Sequence, residues 1–297
     1  MNLNGIIPVN KPKGFTSFDV IAKMRGILKM KKLGHAGTLD PDATGVLPVF
    51  VGFATKACDI LPCHDKTYEA EFRLGITTDT QDISGKVLSE RECNGVTEDI
   101  LRDVLADFRG EIQQIPPMYS AVSVGGKRLY ELARKGVEVE REARTVNILR
   151  LELLSFDEST HTGKLEVRCS KGTYIRTLIN DIGERLSCGA AMTALVRTEA
   201  AGFTLDDCVT LEELQNTDDF TEVVIPIERV FSDYPKIELN KDQTRMYKNG
   251  VRLDLARVKN SRDSEIFSVC GEGEFLGIAR ADREKNLLVG ERNFYDR

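Results

Sequence analysis

Apolar positions along the chain switch between helical and alternating spacing. Val20, Ile21, Met24, Ile27 and Leu28 predict a helix with one buried face, and Thr16 or Ser17 is placed to cap it. Lys23 and Lys29 fall off that stripe, towards solvent or a polyanion. A second helix is expected from Thr97 to Phe108 on Ile100, Leu101, Val104, Leu105 and Phe108, and a third from about Thr173 to Leu186 on Ile175, Leu178, Ile179, Ile182 and Leu186. Short strands are expected at Ile6–Val9, Val46–Val51 and Lys164–Cys169. Another runs Thr67–Leu74, with Tyr68, Ala70, Phe72 and Leu74 on one side. Tyr119–Val124, Gly125-Gly126 and Leu129–Lys135 read as strand, tight turn and helix. Leu33–Gly45 carries Gly34, Gly37, Pro41 and Gly45, too many breakers for a regular element, so a loop is expected. Strands and helices mix without strict alternation, which points to an α/β or α+β fold on a mixed sheet. From Tyr234-Pro235 onward, short strands broken by glycines suggest a small β-rich appendage. The expected division is therefore residues 1–234 and 235–297.

The composition changes this picture in one respect. A chain of 297 residues with 41% apolar and 30% charged residues has enough material for a substantial core. Its net charge of −6 argues, taken whole, against a nucleic-acid partner. The distribution argues otherwise. Residues 1–39 hold Lys11, Lys13, Lys23, Arg25, Lys29, Lys31 and Lys32 against Asp19 alone, a net of +6, so the remainder carries −12. Nine acids between Leu205 and Tyr234 face only Arg229. A binding partner responds to the local field, and the first forty residues supply a basic one. Seven scattered cysteines make a poor disulfide framework and suit a reducing cytoplasm. Cys58, Cys63 and His64 lack a second half at zinc-finger spacing, so no metal is expected. The longest uncharged apolar run is too short to span a bilayer, and no membrane association is expected.

The densest chemistry is Gly34-His35-Ala36-Gly37-Thr38-Leu39-Asp40-Pro41-Asp42-Ala43-Thr44-Gly45, directly after the basic helix. A loop with one histidine and two carboxylates brings reactive groups to where a polyanion would dock. The same aspartates would also serve simply to satisfy turns. A phosphate loop is not supported, since neither G-x-x-x-x-G-K-[ST] nor G-x-G-x-x-G is present. A glycosidase pair would need a more distant second carboxylate than Asp42 provides.

This segment resembles the catalytic loop of the bacterial tRNA pseudouridine-55 synthases, the TruB family. Further matches follow in the family's order: Asn10-Lys11-Pro12-Lys13-Gly14-Phe15-Thr16-Ser17, Lys66-Thr67-Tyr68, Leu74 to Asp82, Gln114 to Ala121, and Ser170 to Leu178. The resemblance implies an α+β pseudouridine synthase fold, with a mixed, largely antiparallel central sheet flanked by helices and a small C-terminal PUA-like RNA-binding domain. It also implies a function: isomerising uridine 55 in the tRNA T-arm, as a cytoplasmic monomer without cofactor. The chemistry is consistent with this, because moving C1′ from N1 to C5 of uracil needs no redox change or energy input. It needs a carboxylate at the sugar and a flipped base.

By the same resemblance Asp40 is the catalytic aspartate, acting either as a nucleophile at C1′ or as the base that removes a C2′ proton. Tyr68 would stack on the flipped uracil, although an inward strand tyrosine would look alike in sequence. Arg176 would pair with a carboxylate, Asp82 and Asp40 being the candidates. Tyr174 and Leu195 would line the pocket, and His35 would occupy the space the uridine leaves. Lys11, Lys13, Lys31, Lys32, Lys127 and Arg128 are the candidates for phosphate contact. Two alternatives stay open: a non-catalytic tRNA-folding chaperone, and a related synthase acting on another RNA.

Overall fold

The structure, a computed structural model, describes residues 3–259 and 264–295. The chain forms two compact units. One comprises Met1–Pro41, Val46–Cys63 and Ala201–Arg297, and the other Asp42–Gly45 and His64–Ala200. The expected boundary near residue 235 does not separate them.

The second unit is built on an antiparallel sheet. In spatial order its strands are Ala190–Ala200, Lys66–Leu74, Thr162–Cys169, Arg144–Asp157 and Gly110–Gln114. Beside the first of these, Thr44 and Gly45 pair in parallel with Val196 and Arg197, which makes the sheet mixed, as expected. Lys66–Leu74 alternates as its sequence implies, with Tyr68, Ala70, Phe72 and Leu74 all buried. Helix Ile175–Arg185 buries Ile175, Leu178, Ile179 and Ile182, and packs on strand Ala190–Ala200. Its Gly183 lies against the backbone at Ala190, where a side-chain carbon has no room. Helix Glu98–Ala106, capped by Thr97, buries Leu101 and Leu105. Ile100, expected inside, is exposed, and the helix stops two residues short of Phe108. The expected strand at Tyr119–Val124 shrinks to Ser123–Val124, paired with Lys127–Arg128 across Gly125-Gly126, before a short helix Leu129–Ala133.

In the first unit, strand Gly5–Lys11 leads into helix Ser17–Leu28. Thr16 caps that helix in a reciprocal box: its hydroxyl accepts from Asp19 N at 3.0 Å, and the Asp19 carboxylate accepts from Thr16 N at 2.8 Å. Val20, Ile21, Met24 and Leu28 share a core with Val9, Val49 and Val51, and with Leu211 and Leu214 from the acidic stretch. That stretch therefore buttresses the basic helix from within, while its carboxylates stay largely at the surface. Leu33–His35 is not loop, as expected, but a short strand antiparallel to Val49–Val51. Neighbouring backbone pairing offsets its low intrinsic propensity.

The expected β-rich C-terminal segment is a five-stranded sheet with its own core. Its strands run Lys236–Leu239, Ile266–Gly271, Glu274–Asp282, Leu287–Asn293 and Leu253–Asp254 in spatial order. Phe231, fully buried, stacks on Phe275 at 6.1 Å and Tyr234 at 6.0 Å, so residues before 235 complete this body. The Phe294 carbonyl accepts from Asn4 Nδ2 at 3.1 Å, and the Asn293 carbonyl from Lys56 Nζ at 2.8 Å, tying the last strand to the N-terminal part of the same unit.

Candidate active site

In the first unit, the segment ending at Pro41 is held from two sides. Ser17, buried in the first turn of the basic helix, accepts from Leu39 N at 2.9 Å and donates to Leu39 O at 3.3 Å. Pro41 O accepts from Gly14 N at 2.9 Å and from Lys11 Nζ at 3.0 Å. Asp40 lies between these two anchors, half-buried, while Leu39 before it is buried. Both peptides flanking Asp40 are thereby anchored, which fixes the backbone that carries its carboxylate.

Lys11 corrects an expectation. Read as a phosphate contact, it is completely buried, and its ammonium also donates to Pro12 O at 3.0 Å and Phe15 O at 2.5 Å. A buried ammonium needs acceptors on all sides, and these carbonyls supply them. Its work is to hold the aspartate loop. Lys13, Lys31 and Lys32 are exposed, as phosphate contacts would be. Lys32 Nζ lies 4.4 Å from the centre of the Phe53 ring and Lys56 Nζ 5.2 Å, gathering positive charge around one aromatic ring. His35 is half-buried on its short strand, antiparallel to Val49.

In the second unit, Tyr68 is buried on the strand Lys66–Leu74, directly across from Arg197. Leu195, also buried, stands across from Ala70, so Tyr68 and Leu195 share one side of the sheet. Arg197 itself went unassigned in the sequence, yet it is fully buried. Gly45, at φ +104°, packs so closely on the Arg197 backbone that any side chain would collide with it.

Arg176 sits in the first turn of helix Ile175–Arg185, with 6% of its side chain exposed. It donates to Thr80 O at 2.9 Å and to Tyr119 O at 3.0 Å, and its guanidinium lies 3.7 Å from Asp82 Oδ2. The expected Arg176–Asp82 pair is present. The other carboxylate oxygen of Asp82 accepts from Thr80 Oγ1 at 2.8 Å and from Ser84 N at 3.0 Å. One guanidinium thus ties its own helix to the Thr80–Asp82 turn and to Tyr119, and its planar fork suits it to that task.

Gln114, without an assigned role in the sequence, clamps the Tyr174 peptide: Tyr174 N donates to its Oε1 at 2.7 Å, and its Nε2 donates to Tyr174 O at 3.0 Å. Tyr174 is half-buried at the helix N-cap. Lys127 and Arg128 are exposed on a two-stranded hairpin, where Arg128 Nη1 donates to Ala121 O at 2.5 Å. Among the described residues, no three of His, Cys, Asp or Glu gather as a metal would need. No helix among them is long and apolar enough to cross a membrane.

Comparison with known proteins decides the family. Residues 25–175 match the model of the TruB family pseudouridylate synthase N-terminal domain, and residues 176–232 that of the tRNA pseudouridylate synthase B C-terminal domain. This chain belongs to the TruB family of pseudouridylate synthases. It is 43% identical to the tRNA pseudouridine synthase B of Clostridium tetani over 97% of this chain and 99% of that protein. With the protein of the same name from Lactobacillus delbrueckii subsp. bulgaricus the identity is 46% over 85% of this chain and 87% of the other. Among solved structures, a chain from a Cbf5-Nop10-Gar1 complex superposes with a TM-score of 0.75 at 26% identity, over 99% of this chain and 85% of that one. The TruB assignment agrees with the mixed α+β fold and makes the chain an enzyme of the pseudouridine synthase class.

Proposed function

We propose that this chain converts uridine 55 in the T-arm of tRNA to pseudouridine, acting as a monomer without cofactor or partner protein. The observation that carries the reading is the likeness to tRNA pseudouridine synthase B over 97% of the chain, and the anchoring of Asp40 through Leu39 and Pro41 supports it. In this reading Asp40 acts on the ribose of a flipped uridine, either bonding to C1′ or taking the C2′ proton. Tyr68 stacks on the detached uracil while it turns, Arg176 with Asp82 supplies fixed charge, and Tyr174 and Leu195 close around the base. His35 fills the gap in the RNA. Lys13, Lys31, Lys32, Lys127 and Arg128 meet phosphates, and the C-terminal sheet serves as a PUA-like RNA contact. Purified protein should release tritium from 5-labelled uridine in a T-arm stem-loop. Asp40→Asn should abolish release while changing RNA affinity less than about twofold, because a neutral amide keeps the shape but loses the nucleophile or base. Substantial residual turnover would remove Asp40 from its role.

A requirement for protein partners would favour the alternative of a synthase directed to another RNA. Binding without turnover would favour the chaperone.

A further inference from the structure

Phe18, the second residue of helix Ser17–Leu28, is 64% exposed although it is among the most apolar residues of the basic N-terminal segment. Phe18, Ala22 and Arg25 follow at intervals of four and three residues, which sets them on one helix face, and all three are exposed. The Arg25 guanidinium lies 5.8 Å from the centre of the Phe18 ring. Phe18, the small Ala22 and Arg25 thus form an exposed strip with the guanidinium over the ring, and the exposed Lys29 lies beyond Arg25 at the helix C-cap. Asp19, the acid of this helix, is occupied in the cap with Thr16. The strip adjoins the catalytic loop directly, because Ser17, next to Phe18, is the residue that holds both the N–H and the carbonyl of Leu39.

An exposed ring bordered by an arginine, on a helix whose other free charges are basic, has the chemistry of a base-stacking platform with a phosphate contact beside it. We propose that Phe18 stacks on an unpaired nucleotide of the substrate RNA near the target uridine, and that Arg25 pairs with an adjoining phosphate. The inference rests on the function proposed above. It adds a contact that fixes where the RNA lies against the aspartate loop. The partner is a single-stranded nucleotide rather than duplex, since only an unstacked base offers its face.

The test uses the whole protein and a T-arm stem-loop, with binding and single-turnover modification measured separately. Phe18→Ala should weaken binding about tenfold, the scale of one lost base–aromatic stack. Its melting temperature should stay at the wild-type value, since the ring is exposed. Phe18→Tyr should restore affinity, because it returns an aromatic face. Arg25→Ala should flatten the dependence of log affinity on log salt by about one phosphate contact. Wild-type affinity in Phe18→Ala, with the unsubstituted protein binding and modifying the stem-loop, would overturn this inference and leave the proposed function standing. If the unsubstituted protein neither binds nor modifies that RNA, both fall.

Discussion

A lysine ammonium shut away from water must find acceptors, and Lys11 has three carbonyls within 3.0 Å. One belongs to Pro41, so the charge serves the loop beside Asp40 and not an external phosphate. Lys11→Met would take the ammonium from the Pro12 and Phe15 carbonyls and leave Pro41 O with Gly14 N alone. It should lower stability by about 3 kcal/mol in a denaturant titration and depress turnover, with the salt slope of RNA binding unchanged. Replacing the exposed Lys31 and Lys32 by alanine should do the opposite, reducing the salt slope by about 2 with little loss of stability. An altered slope in Lys11→Met would contradict the buried role. At this scale the sequence was informative about identity and poor about environment. Asp40, Tyr68, Asp82 and Arg176 stood in contiguous motifs, whereas the burial of Lys11 and Arg197 depends on strand neighbours distant in the chain.

Elements were legible where their pattern is regular. Strand Lys66–Leu74 alternates cleanly, and the stripe of helix Ser17–Leu28 is nearly all buried. The long strands Arg144–Asp157 and Ala190–Ala200 were not read from the sequence, and both contain bulges: the pairing slips between Ile148 and Arg150, between Leu153 and Ser155, and between Met192 and Ala194. Each slip inverts the inside-outside alternation on which a strand reading depends. The cap of the basic helix yields a pH prediction. Hydrogen bonds from the side chain and backbone of Thr16 hold the Asp19 carboxyl below the usual aspartate range. Its contribution is therefore complete above the ordinary aspartate pKa and fades as pH falls through the lowered folded value. The melting temperature of Asp19→Ala should lie below that of the unsubstituted protein near neutral pH. The gap should narrow in acid, below about pH 4, and a gap that widened there would contradict the cap.

At the scale of the molecule, the charge on the chain is segregated, so its total misdescribes it. The basic helix and the acidic stretch after Leu205 even share a core, through Val20, Ile21, Leu211 and Leu214. The C-terminal sheet was visible as a β-rich segment, but its dependence on Phe231 was not, since aromatic contacts across forty residues leave no local pattern. Truncation after Tyr234 would strip Phe231 of Phe275 and Phe294, and Asn4 of its Phe294 acceptor. The shortened chain should melt lower and aggregate more readily. A truncated protein as stable as the full chain would show that the sheet is a mere appendage. The direct measurement is to map pseudouridine in tRNA from cells lacking this protein. Position 55 should carry unmodified uridine, with pseudouridine restored by the unsubstituted protein and not by Asp40→Asn. Pseudouridine persisting at 55 while another position loses it would mean that this protein acts on a different uridine.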